Sequence, residues 1–310
     1  MGKRAVLLFA GQGAQTVGMG RDLSEKFDTA RSLLEKADEM LGFSLTDVMF
    51  NGPAEELTRT SFCQPALYAH GLACLALLKE QVPDLEIAGV AGLSLGEFTA
   101  HAAAGTFDFG TGLDLVAKRG RYMEEAANAT SGSMAAMIGG EEADVRTLAE
   151  LCDIDVANFN APGQVVVSGS AEGVAKSVEL ASDHGIRIAK ELDVAGAYHS
   201  RLMQSAQDKL AADLASLEIA TPAVPVICNV EATRVSEADE IRRTLEAQVT
   251  GSVLWSDSVK SFIGAGETTF IELGPGRVLA GLMKRIDRSA DILTFSDVES
   301  LESVVEELNG

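Results

Sequence analysis

Short unbroken apolar runs alternate along this chain with longer stretches whose apolar residues recur every three or four positions. That pattern predicts buried strands interleaved with amphipathic helices. The run Ala5-Val6-Leu7-Leu8-Phe9 reads as a first strand, closed by the glycine-rich turn Gly11-Gln12-Gly13-Ala14-Gln15 and followed by one long helix over residues 22–41. Helical spacing recurs over 65–81, 96–104 and 112–127, and the run Ile87-Ala88-Gly89-Val90-Ala91 supplies a second strand. Residues 128–133 are small and polar, the composition of a hinge. Beyond them the rhythm changes to a strand over 134–138, a helix over 141–151, strands over 155–160 and 164–168, a helix over 171–184 and a strand over 186–194. The order βαββαβ within about 65 residues predicts a ferredoxin-like unit inserted into the larger domain. The α/β alternation then resumes with a helix over 200–217, a strand over 225–230, helices near Ile241 and Ser258, a strand over 269–273 and a helix over 277–286. The acidic stretch from Asp297 to Glu307 reads as a solvated helix face.

A chain of 310 residues buries a substantial core, and its net charge of −21 argues against extended binding to nucleic acid or to an anionic membrane. An anionic partner would have to meet a local basic patch. The four cysteines, Cys63, Cys74, Cys152 and Cys228, form no C-x-x-C pair, so neither a disulfide scaffold nor a zinc site is expected. A reducing, cytoplasmic setting follows as the expectation. The apolar run after Lys3-Arg4 is too short for a signal segment, and no stretch reads as long enough to span a membrane.

Chemistry concentrates at Gly92-Leu93-Ser94-Leu95-Gly96-Glu97, which lies between a predicted strand and a predicted helix. A serine flanked two residues away on each side by glycine in that setting is a nucleophile elbow, so the large subdomain is expected to be α/β-hydrolase-like with a parallel sheet. Its expected bounds are 1–129 and 199–310, with the small subdomain at 130–198. The turn at 11–15 lacks the third glycine of a dinucleotide fingerprint and the lysine of a P-loop, and suits backbone N–H groups aimed into a site. Serine needs a base. Of the four histidines, His70, His101 and His184 fall within or at the end of helices, whereas His199 stands at the return from the small subdomain, where a cleft should close. A neutral His199 would give an acid limb near the ordinary histidine value. Asp155 and Asp193 are the acids between Ser94 and His199 that could complete a triad, but both belong to the inserted segment. The alternative is a Ser-His dyad oriented by a backbone carbonyl. Arg119, taken by itself, reads as a solvated helix arginine.

Seven motifs in order, Gly11-Gln12-Gly13-Ala14-Gln15, Gln64-Pro65-Ala66-Leu67, Gly92-Leu93-Ser94-Leu95-Gly96-Glu97, Lys118-Arg119-Gly120, Asn160-Ala161-Pro162-Gly163-Gln164, Gly196-Ala197-Tyr198-His199-Ser200 and Glu272-Leu273-Gly274-Pro275-Gly276, span nearly the whole chain. In this it resembles the malonyl-CoA:acyl carrier protein transacylases. The resemblance implies that Ser94 is acylated, that His199 is the base and that Gln248 offers its carbonyl to the imidazole. It further implies that Arg119 binds the malonyl carboxylate, that the N–H groups of Gln12 and Leu95 form the oxyanion hole, and that Tyr198 and Asn160 line the substrate pocket. No metal and no tightly bound cofactor are implied; malonyl-CoA is the substrate, and the acceptor is the phosphopantetheine of acyl carrier protein. Arg277, Lys284, Arg285 and Arg288, with Arg187 and Lys190 across the cleft, are the candidate docking patch. Leu93 stands where many members carry histidine, and Tyr198 where phenylalanine is common. The rivals are a serine hydrolase or thioesterase, an acyltransferase of a polyketide pathway, and a binding module without catalysis.

Overall fold

The computed structural model describes residues 3–309, so the outermost residues of the expected large subdomain, 1, 2 and 310, lie outside it. Its strands are β1 (Arg4–Phe9), β2 (Glu86–Gly92), β3 (Gly132–Ile138), β4 (Asp155–Ala161), β5 (Gln164–Ser170), β6 (Ile188–Glu191), β7 (Val226–Ile227), β8 (Arg234–Val235), β9 (Thr269–Leu273) and β10 (Asp291–Phe295). Six of them form one sheet in the order β10-β9-β1-β2-β7-β8. All neighbours in it are parallel except the edge pair β7 and β8. The apolar run 5–9 is wholly buried because β1 lies inside this sheet with helices on both faces.

Parallel pairing brings consecutive strand ends to one edge. Phe9 at the end of β1 pairs with Gly92 at the end of β2 on one side and with Leu273 at the end of β9 on the other. The turn after β1 and the elbow after β2 are therefore neighbours at the carboxyl edge of the sheet, where α/β folds place ligands.

The remaining strands form a separate antiparallel sheet, β4-β5-β3-β6, covered by the helices Glu142–Leu151 and Ala171–Leu180 over a core of its own. It is tied to the rest of the chain at Val253, whose N–H donates to Ala157 and whose carbonyl accepts from Phe159.

Several expectations change in detail. The single helix over 22–41 is two, Arg21–Lys26 and Asp28–Leu41, because Phe27 is extended at φ −124°, ψ 122°. The helix expected from residue 200 begins at Gln204, after a short turn of 3-10 helix. The strand over 225–230 is reduced to two residues, Val226–Ile227. The short helices Leu45–Asn51 and Ala54–Thr58 and the strands β8 and β10 had no periodic signal to reveal them. The acidic C-terminal stretch is helical over Val298–Asn309, yet it buries Leu301 and Val304 rather than serving only as a solvated face. The expectation that no segment reaches membrane-span length is also corrected, since Thr60–Gln81 is a 22-residue apolar helix. It is apolar on nearly every side because it is packed inside the core.

Candidate functional site

Strand β2 runs into the helix Leu95–Ala103 through Ser94, whose φ of 54° and ψ of −107° lie in the strained left-handed half of backbone space. Glycines permit the turn. A Cβ on Gly92 would lie 2.0 Å from the Gly96 carbonyl, and one on Gly96 would lie 2.2 Å from the Phe9 carbonyl oxygen. The hydroxyl of Ser94 donates to His199 Nε2 at 2.7 Å, and His199 Nδ1–H donates to the backbone carbonyl of Gln248 at 2.8 Å. That carbonyl sets the tautomer that leaves Nε2 free to take the serine proton. The triad acids are thereby excluded. Asp155 accepts from the Arg201 backbone N–H and guanidinium, and Asp193 is exposed on the cleft wall.

His199 is only 4% exposed. Burial first, and then the Arg119 charge, push its imidazole down from the ordinary value to about 4. The acid limb expected near the ordinary histidine value therefore moves lower. The pH profile of a step in which His199 takes the Ser94 proton should stay flat from pH 8 to 5.5 and fall with an apparent pKa near 4. Stopped-flow rates of that step across that range check it, and a limb near the ordinary value would contradict this environment for His199.

Arg119 is also buried, at 1% exposure, which overturns its reading as a solvated arginine. It projects from the inward face of the helix Phe109–Asn128, between Val116 and Met123. Its Nη1 donates to Gln64 Oε1 at 2.8 Å, and Nη2 donates to Gln248 Oε1 at 2.8 Å and to Ser94 Oγ at 3.1 Å. The Phe98 ring lies 5.1 Å from the guanidinium carbon. Burial lowers its pKa only to about 10, so the group stays cationic at neutral pH. Every one of its hydrogen-bond partners is neutral.

A cleft of about 280 Å³ opens on Ser94 and His199, lined among others by Gln12, Leu93, Asn160, Tyr198, Val278 and Leu282. A roomier surface depression, about 590 Å³, lies by Arg146, Asp155 and Arg201, but holds no nucleophile and base pair. The Tyr198 hydroxyl is 2.6 Å from Thr60 Oγ1, so the departure from phenylalanine is satisfied by a neighbour. Asn160 Oδ1 is buried with no partner among the described residues. The turn at Gly11-Gln12-Gly13 and the start of the helix at Leu95 flank the nucleophile, and among the described residues neither the Gln12 nor the Leu95 N–H has a backbone acceptor in its own loop. Leu93 lines the cleft without a polar contact in the dyad.

Sequence reading missed Asn229. It follows β7, accepts the Ser94 N–H on Oδ1 at 2.7 Å and donates from Nδ2 to the Gly92 carbonyl at 2.8 Å, so it braces both sides of the elbow. The available signal was a polar residue ending the apolar run Val226-Ile227-Cys228. Arg277, Lys284, Arg285 and Arg288 are exposed on or beside the helix Val278–Ile286, whose Val278 and Leu282 face the cleft. By helical spacing Arg285 continues that face. Arg187 and Lys190 are exposed beside and on β6. All four cysteines are buried and unpaired, and no three acid, His or Cys groups among the described residues are placed to hold a metal ion.

With this geometry in place, a family model for the acyl transferase domain matches residues 6–304. The malonyl CoA-acyl carrier protein transacylase of Bacillus subtilis is 40% identical over 98% of this chain and 97% of its own length. The solved malonyl CoA-acyl carrier protein transacylase of Coxiella burnetii superposes with a TM-score of 0.96 at 35% identity, covering 100% of this chain and 99% of that one. A malonyl-transacylase solved in complex with its type II polyketide acyl-carrier protein superposes with a TM-score of 0.94 at 34% identity, covering 98% of this chain and 99% of that one. A buried Ser-His pair on a strained elbow, an arginine beside it and full-length likeness on both counts converge: the chain belongs to the acyl transferase family, among the malonyl CoA-acyl carrier protein transacylases.

Proposed function

We propose that this acyltransferase moves a malonyl group from malonyl-CoA to the pantetheine thiol of acyl carrier protein through a malonyl-Ser94 intermediate. The observation that carries the reading is Arg119, a buried cation with only neutral partners, 3.1 Å from the nucleophile. A guanidinium so placed is costly unless a ligand brings a carboxylate to it, and its planar fork both selects and orients a malonyl group.

His199 takes the Ser94 proton as Oγ attacks the thioester carbonyl. The N–H groups of Gln12 and Leu95 hold the oxyanion. Collapse breaks the carbon–sulfur bond, and His199 returns its proton to the departing coenzyme A sulfur. The carrier thiol then attacks malonyl-Ser94, giving its proton to His199 and restoring the serine. Tyr198 and Asn160 shape the acyl pocket. The chain's own residues suffice for these steps, with no tightly bound cofactor assigned a part.

The subdomain assignment rests on the same reading. Residues 130–198 are a ferredoxin-like insertion in an α/β-hydrolase-like body, 1–129 and 199–310, supported by the βαββαβ order and the strand arrangement β4-β5-β3-β6. The proposed setting is the cytoplasm and the proposed pathway fatty acid synthesis; preference for a polyketide carrier over a fatty acid carrier in side-by-side transfer would reassign the pathway.

An acidic carrier must dock on a chain of net charge −21 through Arg277, Lys284 and Arg285 beside the cleft. The experiment separates the half-reactions. Lys284→Glu/Arg285→Glu should raise KM for the carrier on the order of fivefold or more and flatten its salt dependence, with acylation by malonyl-CoA unchanged. Mass spectrometry should find the malonyl group on the carrier rather than as free malonate. Free malonate as the main product would favour the hydrolase, and equal loss in both half-reactions would reject the docking patch.

A further inference from the structure

The acyl-transfer steps leave a wholly buried acid beside the dyad without a role. Glu97, in the first turn of the helix Leu95–Ala103, places Oε2 at 2.5 Å from Gln248 Nε2 and at 3.1 Å from the backbone N–H of Asn229. Its Oε1 has no partner among the described residues. Burial pushes this carboxyl up to about 8, and in either protonation state Oε2 remains an acceptor.

The Gln248 side chain is the link. Its Nε2 also donates to the Ser94 carbonyl at 2.9 Å, while its Oε1 accepts from Arg119 Nη2 at 2.8 Å. A primary amide can be turned over at little intrinsic cost, and here the two orientations differ sharply. Turned over, it would set Oε1 against the oxygens of Glu97 and Ser94, and an NH₂ group against the guanidinium. The carboxyl oxygen of Glu97, together with the Ser94 carbonyl, therefore holds Gln248 with an acceptor toward Arg119. Nη2 is the nitrogen that also reaches Ser94 Oγ, so this contact fixes the guanidinium relative to the nucleophile.

We propose that Glu97 is a positioning residue which, through the Gln248 side-chain amide, holds Arg119 in the pose that favours a carboxylate-bearing acyl group over a neutral one. This rests on the reading of Arg119 as the carboxylate's partner. The orientation of His199 does not depend on that side chain, because the imidazole uses the backbone carbonyl of Gln248, which side-chain substitution leaves in place.

The test is a double-mutant cycle of Glu97→Leu and Gln248→Met, with Glu97→Gln and Arg119→Ala alongside, each assayed for kcat/KM on malonyl-CoA and acetyl-CoA. Loss of the oriented acceptor should lower malonyl transfer about tenfold or more in Glu97→Leu and in Gln248→Met, and acetyl transfer by no more than about threefold. The pair should fall no further than Gln248→Met alone, because Glu97 then has nothing left to act through. Glu97→Gln keeps an acceptor and should stay within about threefold of wild type on both substrates. Multiplying losses in the pair, equal losses on both substrates, or Glu97→Gln as impaired as Glu97→Leu would each overturn the proposal. If the leucine variant does not fold, Gln248→Met carries the test, and a wild-type malonyl to acetyl ratio there overturns it. Arg119→Ala separates the two levels. A selective loss there without one in the Glu97 series removes only the positioning role, whereas an unselective loss removes the carboxylate reading beneath it.

Discussion

Ser94→Ala should lower malonyl transfer on the order of 10⁴-fold or more while the protein remains folded, because among the described residues no other nucleophile stands on His199. The substitution deletes one oxygen at a site already built for φ 54° and leaves Gly92, Gly96 and the Asn229 brace in place. Thermal unfolding should therefore shift little, which separates lost chemistry from lost structure. Steady-state transfer rates and a melting curve on the same preparation check both. Retention of even a tenth of the activity would mean that the acyl group passes directly between thiols, with Ser94 a bystander.

The second large effect falls on selectivity. With Arg119 as the proposed partner of the malonyl carboxylate, removing its guanidinium leaves that carboxylate unpaired in a buried site, a penalty of about 2 to 5 kcal/mol. Arg119→Ala should accordingly cut kcat/KM for malonyl-CoA roughly 30-fold or more, and leave acetyl-CoA turnover equal or improved, since acetyl has no carboxylate to desolvate. Arg119→Lys should recover only part. An ammonium preserves the attraction, but it cannot reach Gln64, Gln248 and the substrate from one planar group. Kinetics of both variants on both thioesters decide the matter. Equal losses on malonyl and acetyl would make Arg119 a structural residue.

The contrast between Ser94 and Arg119 shows where the sequence is legible. The elbow could be read from residues alone, because close approach of Gly92 to Gly96 and of Gly96 to Phe9 forbids a Cβ, and glycine spacing records that constraint directly. Strands β1, β2 and β9 were equally plain, each mostly apolar and buried beyond its first one or two residues. Arg119 was misread by itself. Its signal was a charge inside the apolar stripe Val116, Arg119, Met123, and only the ordered motifs gave that weight. Gln248 acts on His199 through a backbone oxygen, which any residue would supply, so its side chain carries no mark of that duty. Asn229 was invisible because β7 is two residues long, too short for a period, and because its partners are backbone groups 135 and 137 residues away. The break at Phe27 escaped notice for a related reason: no glycine or proline marks it, and the apolar period runs through it.

The most direct test of a covalent malonyl-serine route is intact-protein mass spectrometry after brief exposure to malonyl-CoA with no acceptor present, followed by peptide mapping. Wild type should gain the mass of one malonyl group, mapped to Ser94, and should lose it when carrier thiol is added; Ser94→Ala should gain nothing. A folded wild type that stays unmodified, or an adduct that persists in Ser94→Ala, would contradict the account.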